Sequence, residues 1–240
     1  LEAAYHMAQK RHPKAVGQTE SLMNKLPVEV HPIFPQLFAM TGTDEAIKVL
    51  RRLMASTSEP VRVEAILSAA KYQRDDLLPK IRNLATHHDL VQQEACATAL
   101  GMMKDEASLS KLEQMAQSNA PYVRIAALRS LYHLGKKEKG NELMEIAAEG
   151  NIFAIACLAD VPESKELLYR LCQHDSIQIR TNAALALLEH QDPRCLYALT
   201  EVLFRDSRDL AFIKTTSPSK ALSAWKVIPS ARHNLKDNLI

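Results

Sequence analysis

The chain has 240 residues, 47% of them hydrophobic and 24% charged, with a net charge of +2; that is room for one large domain or a run of small repeated units, and it excludes disorder. Glycines number only 6 and aromatics are 5%, which favours helix over sheet, because strands want β-branched and aromatic residues and their turns want glycine. The charge is too small to argue for nucleic acid by itself, and no run of 18 apolar residues is present to span a membrane.

Residues 1–26 read as two short helices, the first broken by Pro13, the second carrying Val16, Leu22, Met23 and Leu26. Pro27, Pro32 and Pro35 then forbid one regular helix, since each removes a donor and crowds the preceding turn. A short helix from Pro35 to Met40 is expected. Val30 stands 31 residues before Val61, so this stretch is expected to be a degenerate first repeat that caps a longer array.

From Asp44 the alternation is regular. First helices are expected over 44–55, 75–86, 106–117, 139–149, 163–173 and 194–205, with apolar residues three and four apart. Leu50, Ile81, Leu112 and Leu143 recur every 31 residues, the signature of a stacked array. Second helices are expected over 59–72, 89–103, 121–134, 151–160 and 177–189. Their leading apolar residues are Val61, Val91, Val123, Ile152 and Ile179, and four residues later each has alanine: Ala65, Ala95, Ala127, Ala156, Ala183. A small residue there lets helix backbones approach. Ser58, Asn119 and Asp175 are expected caps, and Pro60 and Pro121 fit a first turn.

After Asp206 the pattern fades. Thr215–Ser219 reads as a loop, and Ala221 to Ile228, carrying Trp225, as a last helix stopped at Pro229. The expected organisation is an irregular cap over 1–43, a repeat array over 44–206, and a degenerate last repeat with a cap or linker over 207–240. The chain opens Leu1-Glu2 without a start methionine, as expected of a fragment.

The second-helix pattern Val-Arg-x-x-Ala-Ala-x-x-Leu, on helix pairs of about 30 residues, resembles the HEAT-like repeats, in particular the short bacterial type first described in phycobilin lyases. The resemblance covers roughly 44–190 and is closest at Val61-Arg62, Val123-Arg124 and Ile179-Arg180. It departs at Gln92 and Phe153, where arginine is missing, and the glycine after the second helix survives only at Gly101 and Gly135. The resemblance implies an all-α fold: a right-handed α-solenoid of about six helix pairs. It implies no single function, because such folds host many.

Three activities known on this kind of solenoid can be weighed. HEAT-like hydroxylases carry repeated His-Glu pairs that hold two irons; this chain has nine histidines and no His-Glu dipeptide. HEAT-like DNA glycosylases need a basic concave face with aromatic and acidic residues at the lesion, whereas the single Trp lies outside the array and the charge is nearly balanced. A bilin lyase needs partners and a chromophore on which the residues are silent.

Cys96, Cys157, Cys172 and Cys195 form no Cys-x-x-Cys pair and read as buried apolar residues of a reducing, cytoplasmic setting. His87-His88-Asp89 and Cys172-Gln-His174 resemble metal ligands, but neighbours on a helix point about 100° apart and the plainer reading is loop. No catalytic residue, cofactor or metal is therefore expected. Arg62, Arg124 and Arg180 are expected to form a structural ladder holding loops and neighbouring repeats.

Positions two and six beyond each leading residue should face away from the buried stripe: Val63 and Leu67, Gln93 and Ala97, Ile125 and Arg129, Ala154 and Leu158, Thr181 and Leu185. Many are apolar. Either flanking helices cover them, or they form an inner groove, bordered by Glu94, Arg129 and Tyr132, that takes a partner's helix or extended segment. Val63, Leu67, Glu94, Ile125, Arg129, Tyr132 and Leu185 are the expected partner contacts. The expected function is protein–protein binding by an adaptor or scaffold, with nucleic acid disfavoured; the alternative is a HEAT-like nucleic-acid-binding or lyase/glycosylase-type enzyme module.

Overall fold

Thr43 starts the regular helices. Its side chain accepts the Ala46 N–H at 3.3 Å and caps α4 (Asp44–Leu53), whose first turn holds Asp44 and Glu45 and whose last turn holds Arg51 and Arg52. That charge order suits the helix dipole. The computed structural model describes residues 1–204 and 210–229. The described residues are mostly helical, with fourteen α-helices and one small two-stranded sheet. The chain divides into two units, Leu1–Leu134 and Gly135–Ile240.

The first unit contains α1 (Glu2–Gln9), α2 (Ala15–Lys25), α3 (Phe34–Thr41), α4, α5 (Glu59–Lys71), α6 (Leu78–Leu84), α7 (Leu90–Met102), α8 (Leu109–Ala116) and α9 (Pro121–His133). Helices α1, α3, α5, α7 and α9 pack side by side in one row, while α2, α4, α6 and α8 pack on it as the outer layer. The stretch before residue 44 thus continues the stack, with α2 and α3 as a helix pair. Its prolines are absorbed locally: Pro32 lies in a 3-10 turn over Val28–Ile33, and Pro35 in the first turn of α3. Gly42 ends α3 at φ +61°, and a Cβ there would strike Arg74. The Arg74 guanidinium caps the helix from the next repeat, donating to Ala39 O at 2.7 Å and Met40 O at 3.3 Å.

The N-caps of the long second helices give the true register. They are Ser58, Asp89, Ala120 and Asn151, spaced 31, 31 and 31, like the first-helix leucines. This corrects the reading that aligned Val91 and Ile152 with Val61. The residues three past the cap are Val61, Gln92, Val123 and Ala154, all buried. Gln92 was hidden because it is polar in a core position. The close-approach position is likewise Ala65, Cys96, Ala127, Leu158 and Ala183, all fully buried. Caps differ from expectation too. Asp89 accepts the Val91 and Gln92 N–H groups, and Asn151 those of Phe153 and Ala154. Ser58 makes no side-chain cap bond, and Asn119 and Asp175 lie one residue before the caps Ala120 and Ser176.

The second unit contains α10 (Lys139–Ala148), α11 (Ile152–Cys157), α12 (Lys165–Leu171), α13 (Ile177–Glu189) and α14 (Cys195–Phe204). Helix α11 passes into a 3-10 turn over Leu158–Asp160 just before Pro162, and the cap interval to Ser176 shortens to 25. Two strands come next, β1 (Leu210–Thr216) and β2 (Ser223–Pro229), antiparallel from Leu210↔Pro229 to Thr216↔Ser223. The expected helix over 221–228 is therefore a turn and a strand. Leu222 and Ala224 are buried while Ser223, Trp225 and Lys226 are exposed, so the first residues alternate with the period of a strand rather than that of a helix. The turn closes through Ser217 N–H on Leu222 O at 3.0 Å and Leu222 N–H on Ser217 Oγ at 3.0 Å. Strand β2 packs on α11 and α13. Asp206, where the array was expected to end, lies outside the described residues, as does everything after Pro229. No described helix is long and apolar enough to cross a membrane.

Candidate functional site: the face of the second helices

In the first unit α5 and α7 each pack on their own first helix and between two neighbours of the row, and α9 packs on α8 and α7; in the second unit α11 and α13 pack on each other and on α10 and α12 respectively. Only a narrow line is left, and the cap register locates it. Nine residues past the cap stand Leu67, Thr98 and Arg129 in the first unit and Leu185 in the second, all half-buried. Four residues further stand Lys71, Met102, His133 and Glu189, all exposed. The two positions are one turn apart on the same side of each helix.

The remaining expected contacts are interior. Val63, Glu94 and Ile125 share the position five past the cap, with exposures of 6%, 1% and 0%. Tyr132 is also buried. No partner reaches these four in this fold. They were misplaced because neighbouring second helices cover more of each helix than a single amphipathic stripe implies. Leu67, Arg129 and Leu185 remain as accessible members.

In the first unit the line mixes apolar and polar groups. Ser68 Oγ donates to Glu64 Oε1 at 2.9 Å. Gly101 leaves room for Ser130, whose hydroxyl donates to Ala97 O at 2.8 Å, so α7 and α9 approach closely. Thr98 Oγ1 is buried with no hydrogen-bond partner among the described residues.

In the second unit the same side of the helices is covered by the chain itself. Asn182 Oδ1 accepts the Trp225 N–H at 2.8 Å, and Asn182 Nδ2 donates to the Trp225 carbonyl at 2.7 Å. Gln178, one turn earlier on α13, accepts the Val227 N–H at 3.4 Å. Two side-chain amides thus supply to β2 what a neighbouring strand would supply. A cleft of about 270 Å³ remains beside this contact, lined by Ala156, Leu185, Ala186, Glu189, Lys214 and Ala224 among others.

Arg62 donates to Ser56 O at 2.9 Å and Thr57 O at 3.1 Å, and Arg180 donates to His174 O and Asp175 O, both at 2.8 Å. In α7 the equivalent residue is Gln93, not Gln92, and its amide reaches His87 O at 2.7 Å. Arg62 also binds Asp89 of the next repeat at 2.8 Å. Burial pushes the Asp89 carboxyl up, but the Gln92 N–H, Arg62 and the Val91 N–H outweigh it and hold it below its ordinary value. Arg124 Nε is buried without a hydrogen-bond partner among the described residues.

The two histidines that resembled metal ligands are turn residues. His87 Nδ1 accepts the Asp89 N–H and His174 Nδ1 the Ser176 N–H, at the place where Ser56 and Ser118 accept the N–H of Ser58 and Ala120. Among the described residues no group of three His, Cys, Asp or Glu side chains could hold a metal ion. Burial, with Cys195 and Asp192 behind it, pushes the Cys172 thiol up to about 11, so it is no thiolate nucleophile near neutral pH.

Residues 47–132 match the family described as HEAT repeats. No curated protein matches the sequence. A chain of the complex of CpcE and CpcF of phycocyanin lyase from Nostoc sp. PCC7120 is similar in structure, with a TM-score of 0.56 at 16% identity, covering 83% of this chain and 86% of that one. At that identity the likeness is one of fold.

Proposed function

We infer that this protein is a binding module for other proteins, a scaffold whose second-helix face takes an extended polypeptide segment. The observation that carries the reading is β2 seated on α11 and α13, its backbone held by Asn182 and Gln178. A side of the second helices that holds an extended backbone in one unit supports this reading, and in the other unit Leu67, Thr98 and Arg129 stand at the helix position of Leu185, which lines the cleft beside β2. The similar CpcE chain or CpcF chain also belongs to a two-protein complex, which fits a protein partner. Among the described residues, His87 and His174 are engaged in turn contacts and burial pushes the Cys172 thiol up to about 11.

The test is affinity capture from native lysate, with and without nuclease, using the parent chain and Leu67→Asp/Arg129→Glu. A stoichiometric protein that survives nuclease with the parent and is lost with the variant supports the reading. Material released by nuclease would overturn it in favour of nucleic acid, whose binding also falls steeply with salt.

A further inference from the structure

The hairpin contact differs from ordinary core packing in three respects. Trp225, at its centre, is 38% exposed. Among the described residues, the backbone of β2 bonds to α13 through two side chains, Gln178 and Asn182. Small residues on both sides, Ala156 and Ala186 on the helices and Ala224 on β2, leave the cleft of about 270 Å³ open. The cleft opens to solvent, and at about 30 Å³ for each water of the liquid it has room for several waters. Asn182 reads no side chain of the strand. It reads one N–H and one C=O, which any extended segment offers.

We propose that β2 is a tethered occupant of a peptide site on α13, and that an extended segment of a partner protein displaces it. This rests on the scaffold reading and names the partner's chemistry. The incoming segment places one residue's N–H and C=O on the Asn182 amide, and gives the N–H of the residue two further on to Gln178. Beside the first of these it carries an apolar side chain larger than alanine, which enters the cleft lined by Ala156 and Ala186. Lys214 and Glu189 at the same cleft supply a charge of each sign. While β2 is in place the site is closed, so the hairpin sets a threshold that weak segments do not cross, because a tethered competitor acts at an effective concentration of about millimolar.

The test uses the full chain with residues 223–229 replaced by a Gly/Ser stretch. That removes the single tryptophan of the protein, so the anisotropy of a peptide's own tryptophan reports binding. The probes are the peptide Ser-Ala-Trp-Lys-Val-Ile-Pro and a version with leucine in place of its alanine. The first should bind saturably at one per chain. The leucine version should bind at least about fivefold more tightly, by the apolar surface it adds. Asn182→Leu should weaken both at least tenfold. Absence of binding, or binding indifferent to Asn182→Leu, overturns the proposal. Should the altered chain fail to fold, hydrogen exchange on the unaltered chain decides. Trp225 and Val227 amides exchanging at least a hundredfold faster than the centre of α13 show a hairpin that opens alone, and equal rates overturn the proposal. A peptide failure alongside a positive capture on Leu67 and Arg129 would sink the displacement and leave the scaffold reading standing.

Discussion

The two units present the same side of the second helices in opposite conditions. In the first, Leu67, Thr98 and Arg129 line a half-buried strip edged by the exposed Lys71, Met102 and His133. In the second, the chain's own β2 lies across the equivalent side of α13. Two positions that hold β2, those of Gln178 and Asn182, differ between the units. Six residues past the cap, α13 has Asn182, while α5, α7 and α9 have Glu64, Ala95 and Ala126. An amide can donate and accept at once; a carboxylate or a methyl cannot. The repeat supplies a platform, and single residues on it decide what it holds.

The largest effect should come from a change inside the platform rather than on it. Ile125→Asp places a charge at a position with no exposure and should cost about 4 kcal/mol or more, measured by urea unfolding. Asn182→Ala comes next. It strands the Trp225 N–H and C=O and should weaken the hairpin locally by about 2 kcal/mol, seen as faster exchange of the Trp225 amide. Glu64→Ala, at the same position of the first unit, should change stability by no more than about 1 kcal/mol. Equal responses at 64 and 182 would erase the contrast drawn between the units.

The tie between repeats should show a middling effect. Arg62 and Asp89 have side chains each 19% exposed, and a double-mutant cycle of Arg62→Met and Asp89→Asn should give a coupling of about 1 kcal/mol. Acid should separate the units. Arg82, with burial opposing and Ser108 assisting, holds the Asp105 carboxyl below its ordinary 3.8. Arg194 holds Asp192 down to about 2. Folded values below the unfolded value mean that stability is fully present above about pH 4 and is lost as pH falls through the folded values. Asp105→Asn should therefore reduce the stability lost between pH 7 and pH 3. The contribution of Asp192 should decline progressively as pH falls from about 4 to about 2. Leu67→Asp, at a half-buried rather than a fully buried position, should cost about 1 to 2 kcal/mol, well below Ile125→Asp.

The sequence made much of this legible, and the failures are specific. Leu50, Ile81, Leu112 and Leu143 carried the 31-residue period openly. The second helices carried it at their caps, but Val91 and Ile152 stand next to the true core residues Gln92 and Ala154 and drew the alignment one and two residues off. That slip disguised Gln93 as an ordinary residue when it does the work of the ladder arginines. Leu67, Arg129 and Leu185 share one position past the cap, and Thr98, at that same position of α7, is hidden by the same slip. The hairpin was missed because Ala221, Leu222 and Ala224 are good helix formers, while β-branched Ile213, Thr215, Thr216, Val227 and Ile228 gave the opposite vote in two separate pieces. No local pattern tells that Asn182 will meet Trp225, 43 residues away.

The central claim is that partners lie on the second-helix face, and site-specific photocrosslinking tests it most directly. A photoreactive phenylalanine is placed in turn at Thr98, at Arg129 and, on the outer layer, at the exposed Glu113 of α8. The account predicts that the captured partner crosslinks from positions 98 and 129 and not from 113. A partner that crosslinks from 113 and from neither of the others would contradict it.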